Sequence, residues 1–245
     1  MSARLLLEYD GSEFAGWARQ PWQRTVQGVL EEALEKVLRR PVALTVAGRT
    51  DRGVHARGQV ASHAGDAAPV RNLNALLPGD VCALASDPAP DDFDARRHAQ
   101  SRTYRYRLLT RSTPSPFERG RALWWPRQLD RETLEACAAV LIGSHDFTAF
   151  TPTETDHVRF ERRVLRAEWL EEPGHVLAFW IEADTFMRHM VRILVGTMLE
   201  GVGPERLAQL LDGGTRSEAG ATAPAYGLYL ESVRYPAETL LTPDH

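Results

Sequence analysis

Pro41-Val42-Ala43-Leu44-Thr45-Val46-Ala47-Gly48-Arg49-Thr50-Asp51-Arg52-Gly53-Val54-His55-Ala56-Arg57-Gly58-Gln59-Val60-Ala61-Ser62-His63 reads as strand, loop, strand. Val42, Leu44 and Val46 alternate as a strand entering the loop, and Gln59 to His63 reads as a strand leaving it. Between them Asp51 sits among Arg49, Arg52 and Arg57, with Gly48 and Gly53 bracketing the turn. An Asp between glycines is most often an ordinary turn residue. The flanks are not turn-like, however, and a long arginine-studded loop between two strands of one core is where function concentrates. A carboxylate that attacks carbon must stay ionised, and neighbouring cations favour the charged form. Glycines let the backbone take positive φ and let a bulky ligand come close.

Outward from this loop the chain alternates short strands and helices. Leu5 to Tyr9 predicts a buried first strand closed by Asp10-Gly11. Thr25 is a fair N-cap for a helix with Val26, Leu30, Ala33, Leu34 and Val37 on one face, a Glu32–Lys36 pair on its solvent side and Pro41 as its stop. A short helix near Arg71–Leu77 and strands near Val81–Ala85 and Ser101–Leu109 follow, the last with Arg102, Tyr104, Tyr106 and Leu108 on one face. Thr110–Arg119, with two prolines, reads as a crossover. Beyond it come a helix near Leu129–Leu141, strands near Arg162–Leu170 and Val176–Ala183, helices near Met187–Glu200 and Pro204–Leu211, and a strand near Leu228–Val233. The pattern predicts an α/β (α+β) protein of two lobes, residues 1–109 and 110–245, with mostly antiparallel strands.

With 245 residues, 43% hydrophobic and 25% charged, the chain has the composition of a soluble globular protein with a substantial core. No apolar run approaches a membrane span, Met1-Ser2-Ala3-Arg4 lacks a signal-peptide pattern, and the two cysteines, Cys82 and Cys137, suggest neither a disulfide scaffold nor a zinc site. A cytoplasmic setting is expected. The net charge of −4 does not exclude a nucleic-acid partner, because binding depends on where charges lie. Nearly all the cations are arginines, which make bidentate phosphate contacts and stack on bases, and they gather around the loop and in Arg102, Arg105 and Arg107. The acids gather elsewhere, as in Glu31, Glu32 and Glu35.

Three further features bear on chemistry. The helix around Met187–Leu199 is apolar nearly all round, so Arg192 within it needs a counter-charge: Asp51, Glu200 or Asp184, unless it reaches the surface. Arg102-Thr103-Tyr104-Arg105-Tyr106 interleaves aromatics with arginines, a pattern that stacks bases while binding phosphates but also packs an ordinary sheet. His55 and the His145-Asp146 pair lack further ligand-spaced partners, so loop or cap hydrogen bonds are expected of His145 and Asp146.

The ordered motifs resemble the TruA-type tRNA pseudouridine synthases over essentially the whole chain. They are Tyr9-Asp10-Gly11 through Gly16-Trp17, Thr25-Val26-Gln27-Gly28, the loop through Asp51 continuing to Gly58-Gln59-Val60, Phe93-Asp94-Ala95-Arg96, Arg102 to Tyr106, His145-Asp146-Phe147, Met190-Val191-Arg192, Val195-Gly196 and Ala223 to Leu230. The resemblance implies the pseudouridine synthase fold: two ferredoxin-like α/β lobes around a central RNA-binding cleft. It implies Asp51 as the catalytic aspartate, Tyr104 against the target base and Arg192 paired with Asp51. Arg49 would help extrude the base or hold the vacated space; Arg52, which departs from the family's usual residue, is expected from its charge to add a phosphate contact. The implied activity is isomerisation of uridine to pseudouridine at positions 38, 39 and 40 of the tRNA anticodon stem-loop, by a homodimer with no cofactor, metal or membrane. Arg52, Ala18 and Ile193 depart from the residues usual in the family, Ala, Gln and Asn, which bears on site preference within the stem-loop. Two other classes use parts of the same pattern. An RNA-binding protein without catalysis has no need of Asp51, and a metal-dependent phosphoesterase would gather Asp51, His55 and further acids around divalent ions.

Overall fold

The computed structural model describes residues 1–155 and 158–236. It is a mixed α/β structure whose strands pair mostly antiparallel. The chain forms two compact units, Met1–Arg102 with the described part of Leu230–His245, and Thr103–Tyr229. The halves expected from the sequence were 1–109 and 110–245; in the structure the last strand runs back beside the first unit's sheet, where Gly58 lies against the Glu231 backbone.

In the first unit, β1 (Ser2–Tyr9) buries Ala3, Leu5, Leu7 and Tyr9 in strict alternation. After it come α1 (Val26–Leu38), β2 (Thr45–Val46), β3 (His55–Ala64), α2 (Val70–Asn74) and β4 (Val81–Ala89). β1 pairs antiparallel with both β3 and β4, and the strand order is β4-β1-β3. A core of Ala47, Val60, Ala89, Phe93, Ala95 and Tyr235 fills one side. The Thr25 hydroxyl accepts from the Gly28 N–H at 3.2 Å and caps α1 as expected. The helix stops earlier than Pro41, on Arg39 in the left-handed region at φ 54°. Glu32 faces Arg19 at 3.7 Å. Glu31 is buried and accepts from Arg19, from Gln27 and from the Leu44 N–H. That last bond takes the Leu44 N–H away from any strand partner, which is why β2 is shorter than the Val42–Val46 alternation suggests.

β5 (Ser101–Leu109) begins in the first unit and continues into the second, whose further elements are β6 (Leu123–Trp124), α3 (Arg131–Val140), β7 (Gly143–Asp146), β8 (Glu161–Glu172), β9 (Val176–Ala183), α4 (Met190–Leu199) and α5 (Pro204–Leu210), and β10 (Leu228–Arg234) starts at its end and runs on in the first unit. The strand order there is β5-β9-β8-β7, with the short β6 parallel to β5. β6 and β7 are too brief to leave a periodic signal. Asp130 caps α3 through its carboxylate. α4 begins three residues later than its apolar run, because His189 sits at φ 62° and breaks the helical path before Met190.

The segment Gly220–Pro224 lies directly along α4. The Gly220 N–H donates to Thr197 Oγ1 at 2.9 Å, the Ala221 N–H to Glu200 Oε1 at 2.8 Å, and the Ala223 N–H to the Arg192 carbonyl at 3.0 Å. A side chain on Gly196 would place its Cβ 1.8 Å from the Ala221 carbonyl oxygen. Gly196→Ala therefore cannot be absorbed by a rotamer change and must push the segment off the helix. We expect a loss of about 2–4 kcal/mol of stability, read as a lowered denaturant midpoint. Gly213→Ala, at a site with nothing near the added carbon, should cost less, set by its φ of 84° alone.

Candidate active site

The Asp51 loop of the first unit is held from beneath by polar groups that β1 and β3 bury. Gln59 is wholly buried, and its Nε2 donates to the Gly48 carbonyl at 2.7 Å and to the Tyr9 hydroxyl at 3.3 Å. The Tyr9 hydroxyl, which accepts from Gln59, also shares a hydrogen bond of 2.7 Å with Thr50 Oγ1. Burial pushes the Tyr9 hydroxyl up to about 12, so it remains a protonated donor at neutral pH. The Trp17 N–H donates to the Thr50 carbonyl at 3.0 Å, and the Val54 N–H closes the turn on the Asp51 carbonyl at 3.1 Å, with Gly53 at φ 79°. Arg102 anchors the loop's start, donating from Nε and Nη2 to the Ala47 carbonyl at 3.0 and 2.7 Å.

The N-terminal glycines serve close approach. A Cβ on Gly11 would lie 2.0 Å from the Val54 carbonyl oxygen, and one on Gly16, at φ 107°, would lie 2.9 Å from the Thr50 oxygen. The loop backbone is thus held at Ala47, Gly48, Thr50 and Val54 by named neighbours, most of them in β1, β3 and the segment between β1 and α1. On this loop Asp51 is half-buried, and the side chains of Arg49 and Arg52 on either side of it in sequence are exposed. Tyr9 and Gln59 carry this placement, yet the sequence offered only a faint hint of it, two polar residues at inward positions of otherwise apolar strands.

The arginines of β5 behave differently from the phosphate-binding expectation. Arg102 is buried and also donates to the Arg96 and Ala99 carbonyls. Arg105 pairs with Glu172 at 3.0 Å and lies over the Trp180 and Tyr229 rings. Arg107 pairs with Glu118 at 2.7 Å. Tyr106 is buried, and its hydroxyl donates to the Pro224 carbonyl at 2.8 Å. These four side chains are engaged by partners within the protein, which accounts for their place in the alternation as sheet packing.

In the second unit, Tyr104 is 7% exposed and meets the Phe186 ring edge-on, with centroids 5.0 Å apart. Arg192, expected to be buried, is half-buried in the first turn of α4. Its Nε donates to the Ala223 carbonyl at 2.8 Å, while the Ala223 N–H donates back to the Arg192 carbonyl, so side chain and backbone grip one residue of the Gly220–Pro224 segment. Its charge also reaches Tyr106, whose hydroxyl burial pushes up and the cation draws back. Glu200 and Asp184, the other acids considered for Arg192, accept backbone N–H groups of Ala221 and of Arg163 and Thr185. Asp51, Arg49 and Arg52 thus share one loop of the first unit, and Tyr104 and Arg192 belong to the second.

The weaker candidates take structural duties. His55 is buried and accepts the Gly11 N–H on Nδ1 at 3.0 Å. Asp146 accepts the Thr148 N–H and hydroxyl, and His145 Nε2 lies 3.1 Å from the Ile142 carbonyl oxygen, as expected of a cap and a loop contact. Among the described residues no group of three or more His, Cys, Asp or Glu is arranged to hold a metal ion, and no helix is long and apolar enough to cross a membrane.

Comparison with known proteins places this loop in a family. A family model described as tRNA pseudouridine synthase matches residues 6–96 and 137–236. A tRNA pseudouridine synthase A of Frankia casuarinae is 47% identical over 96% of this chain and 89% of its own length. Proteins of the same name from Roseiflexus sp. and Burkholderia cenocepacia are 44% and 41% identical, over 96% and 99% of the chain and 90% and 93% of their lengths. A solved Cbf5-Nop10-Gar1 complex aligns over 93% of this chain and 57% of that chain, at 11% identity and a TM-score of 0.36, a likeness too loose to add weight. With a family model over most of its length and relatives well above 40% identity along nearly all of it, the chain belongs to the tRNA pseudouridine synthase family.

Proposed function

We propose that this chain isomerises uridine to pseudouridine in the anticodon stem-loop of tRNA, at positions 38, 39 and 40, with Asp51 as the catalytic carboxylate. The observation that carries the reading is the Asp51 loop, whose backbone is bonded from below and which sets a half-buried carboxylate between two exposed arginines in sequence. The reaction breaks the N1–C1′ bond, turns the uracil and joins C5 to C1′, with N1 gaining a proton and C5 losing one. No electron or group enters or leaves. One ionised carboxylate serves it, either by attacking C1′ or by taking the C2′ proton to give a glycal-like intermediate. A base within a stem must first be flipped out. In this reading Arg49 helps extrude the base, Arg52 contacts phosphate, Tyr104 lies against the target base, and Arg192 supplies the counter-charge of Asp51. The enzyme works as a homodimer in the cytoplasm, without cofactor or metal.

Asp51→Asn keeps the side chain's size but can neither attack carbon nor take a proton. On unmodified tRNA transcript, in the presence of chelator, turnover should fall by about 10³-fold or more while tRNA affinity survives. Normal turnover by the variant overturns the mechanism. Wild-type turnover that chelator abolishes and one divalent ion restores overturns the metal-free reading.

Tyr9→Phe removes only the hydroxyl between Gln59 and Thr50. The loop should keep its fold at a cost of about 1–2 kcal/mol, but Asp51 should lose its fixed position. We expect kcat to drop about tenfold or more with KM for tRNA unchanged, since small misplacements cost rate rather than binding. A proportional fall in binding instead would mean that Tyr9 acts on RNA affinity.

Sedimentation of the free protein at assay concentrations should give the mass of two chains; a fully active monomer overturns the homodimer.

A further inference from the structure

Trp22 is the most exposed large apolar side chain of the first unit, with a relative exposure of 103%. It sits at the tip of a turn in which the Gln23 N–H approaches the Gln20 carbonyl at 3.4 Å, with Pro21 second and Trp22 third. Its φ is 63°, the left-handed region that the third position of such a turn reserves for glycine or asparagine. A bulky aromatic there is both strained and unburied, and neither folding nor packing accounts for it.

The rest of this loop is firmly tied down. The Ala15 N–H donates to the Arg24 carbonyl at 2.9 Å, and the Arg19 N–H donates to Gln27 Oε1 at 3.1 Å. Arg24 grips Asp80 with two bonds of 2.7 and 2.8 Å and lies 4.0 Å over the Phe14 ring, while Arg19 reaches Glu31 at 3.1 Å. Only the tip projects, beside a groove of about 670 Å³ that it shares with Gly28, Val29 and Glu32 of α1. That volume lies in the range of small-ligand sites. Both arginines at the groove are matched by acids, so it is no phosphate cradle. A fully exposed indole, on a turn that the Gln20 amide ties to the Ala15 carbonyl at 3.3 Å and beside arginines already matched by acids, suits instead a flat, uncharged ligand: a nucleobase. The same loop leaves Trp17, whose N–H is bonded to Thr50 beside Asp51, so a ligand held on the tip is linked to the candidate active site through a few fixed residues.

We infer that the Gln20–Gln23 turn is a docking point for an unpaired base of the tRNA substrate, stacked on Trp22, an inference that rests on the tRNA reading above. The turn is preorganised, so stacking orders little of the protein, and each stacked base contributes without regard to sequence.

Binding of unmodified tRNA to the full-length protein tests this with Trp22→Ala, Trp22→Phe and Trp22→Gly. Trp22→Ala should weaken binding by about tenfold, and Trp22→Phe by less. The slope of affinity against salt should not change, because no phosphate contact is lost. Trp22→Gly is the decisive variant: it should lose as much affinity as Trp22→Ala while its Tm stays level or rises, since glycine relieves the φ of 63°. Unchanged affinity in both the Ala and Gly variants overturns the inference, as does a flattened salt slope. A shift from dimer to monomer on sedimentation of these variants also overturns it, by assigning the indole to a second copy of the chain. Failure of the wild-type protein to bind or isomerise tRNA is a separate result, and it sinks the tRNA reading itself.

Discussion

The Gln59 amide, with no exposure to solvent, donates at once to the Gly48 carbonyl and to the Tyr9 hydroxyl, which is itself hydrogen-bonded to Thr50. These bonds tie two neighbouring strands to a loop that has little regular structure of its own. A buried amide left without partners costs more than the bonded one gains, so the network is satisfied only when the loop is in place. The two glycines of the N-terminal motif add a steric constraint, since any side chain at Gly11 or Gly16 would collide with the loop backbone. Bonded from below and wedged from the side, the loop carries Asp51 half-buried between the exposed Arg49 and Arg52. Preorganisation of this kind is what an electrostatic catalyst requires, because the cost of ordering is met during folding rather than at the moment of reaction.

Arginine serves two separate purposes in this isomerase of tRNA. In β5 and its neighbours, guanidinium groups are structural bolts: Arg102 gathers three backbone carbonyls, while Arg105 and Arg107 pair with Glu172 and Glu118. Arg19 and Arg24 do the same for the loop that carries Trp22. The planar fork of arginine suits this, since it satisfies several acceptors at once without shedding its charge. Arg49, Arg52 and Arg57 are exposed on or beside the Asp51 loop. A chain of net charge −4 can therefore serve an anionic substrate, because much of its charge of both signs is cancelled internally.

Arg192 illustrates a related economy in the second unit. The Gly220–Pro224 segment is bonded along α4 at Thr197, Glu200 and Arg192, and Gly196 lets its backbone come into contact with the helix. The guanidinium shares in that grip through Nε, so its direction is set by backbone rather than by a flexible surface environment. Tyr106, bonded to Pro224, fixes the far end of the same segment.

By itself the sequence determined the order and kind of most elements, the N-cap at Thr25, the inward face of β1 and the loop between strands that carries Asp51. Each of these is a local matter: period-two alternation, a hydroxyl three residues from the N–H it accepts, or a carboxylate set among arginines and glycines. What the sequence left open was decided by partners distant along the chain. Whether Arg102 meets RNA or three carbonyls, whether Glu31 faces water or holds Arg19, Gln27 and Leu44, and whether Arg192 is fully buried all depend on such partners. The duty of Tyr9 and Gln59 was hidden for the same reason, since a tyrosine and a glutamine look like ordinary strand residues until β1 and β3 pair. Periodicity reports which face of a strand or helix is inward, because that is set by backbone geometry. It is silent on which buried polar group meets which, because that is set only when strands far apart in sequence come into register and leave each donor a single acceptor within reach.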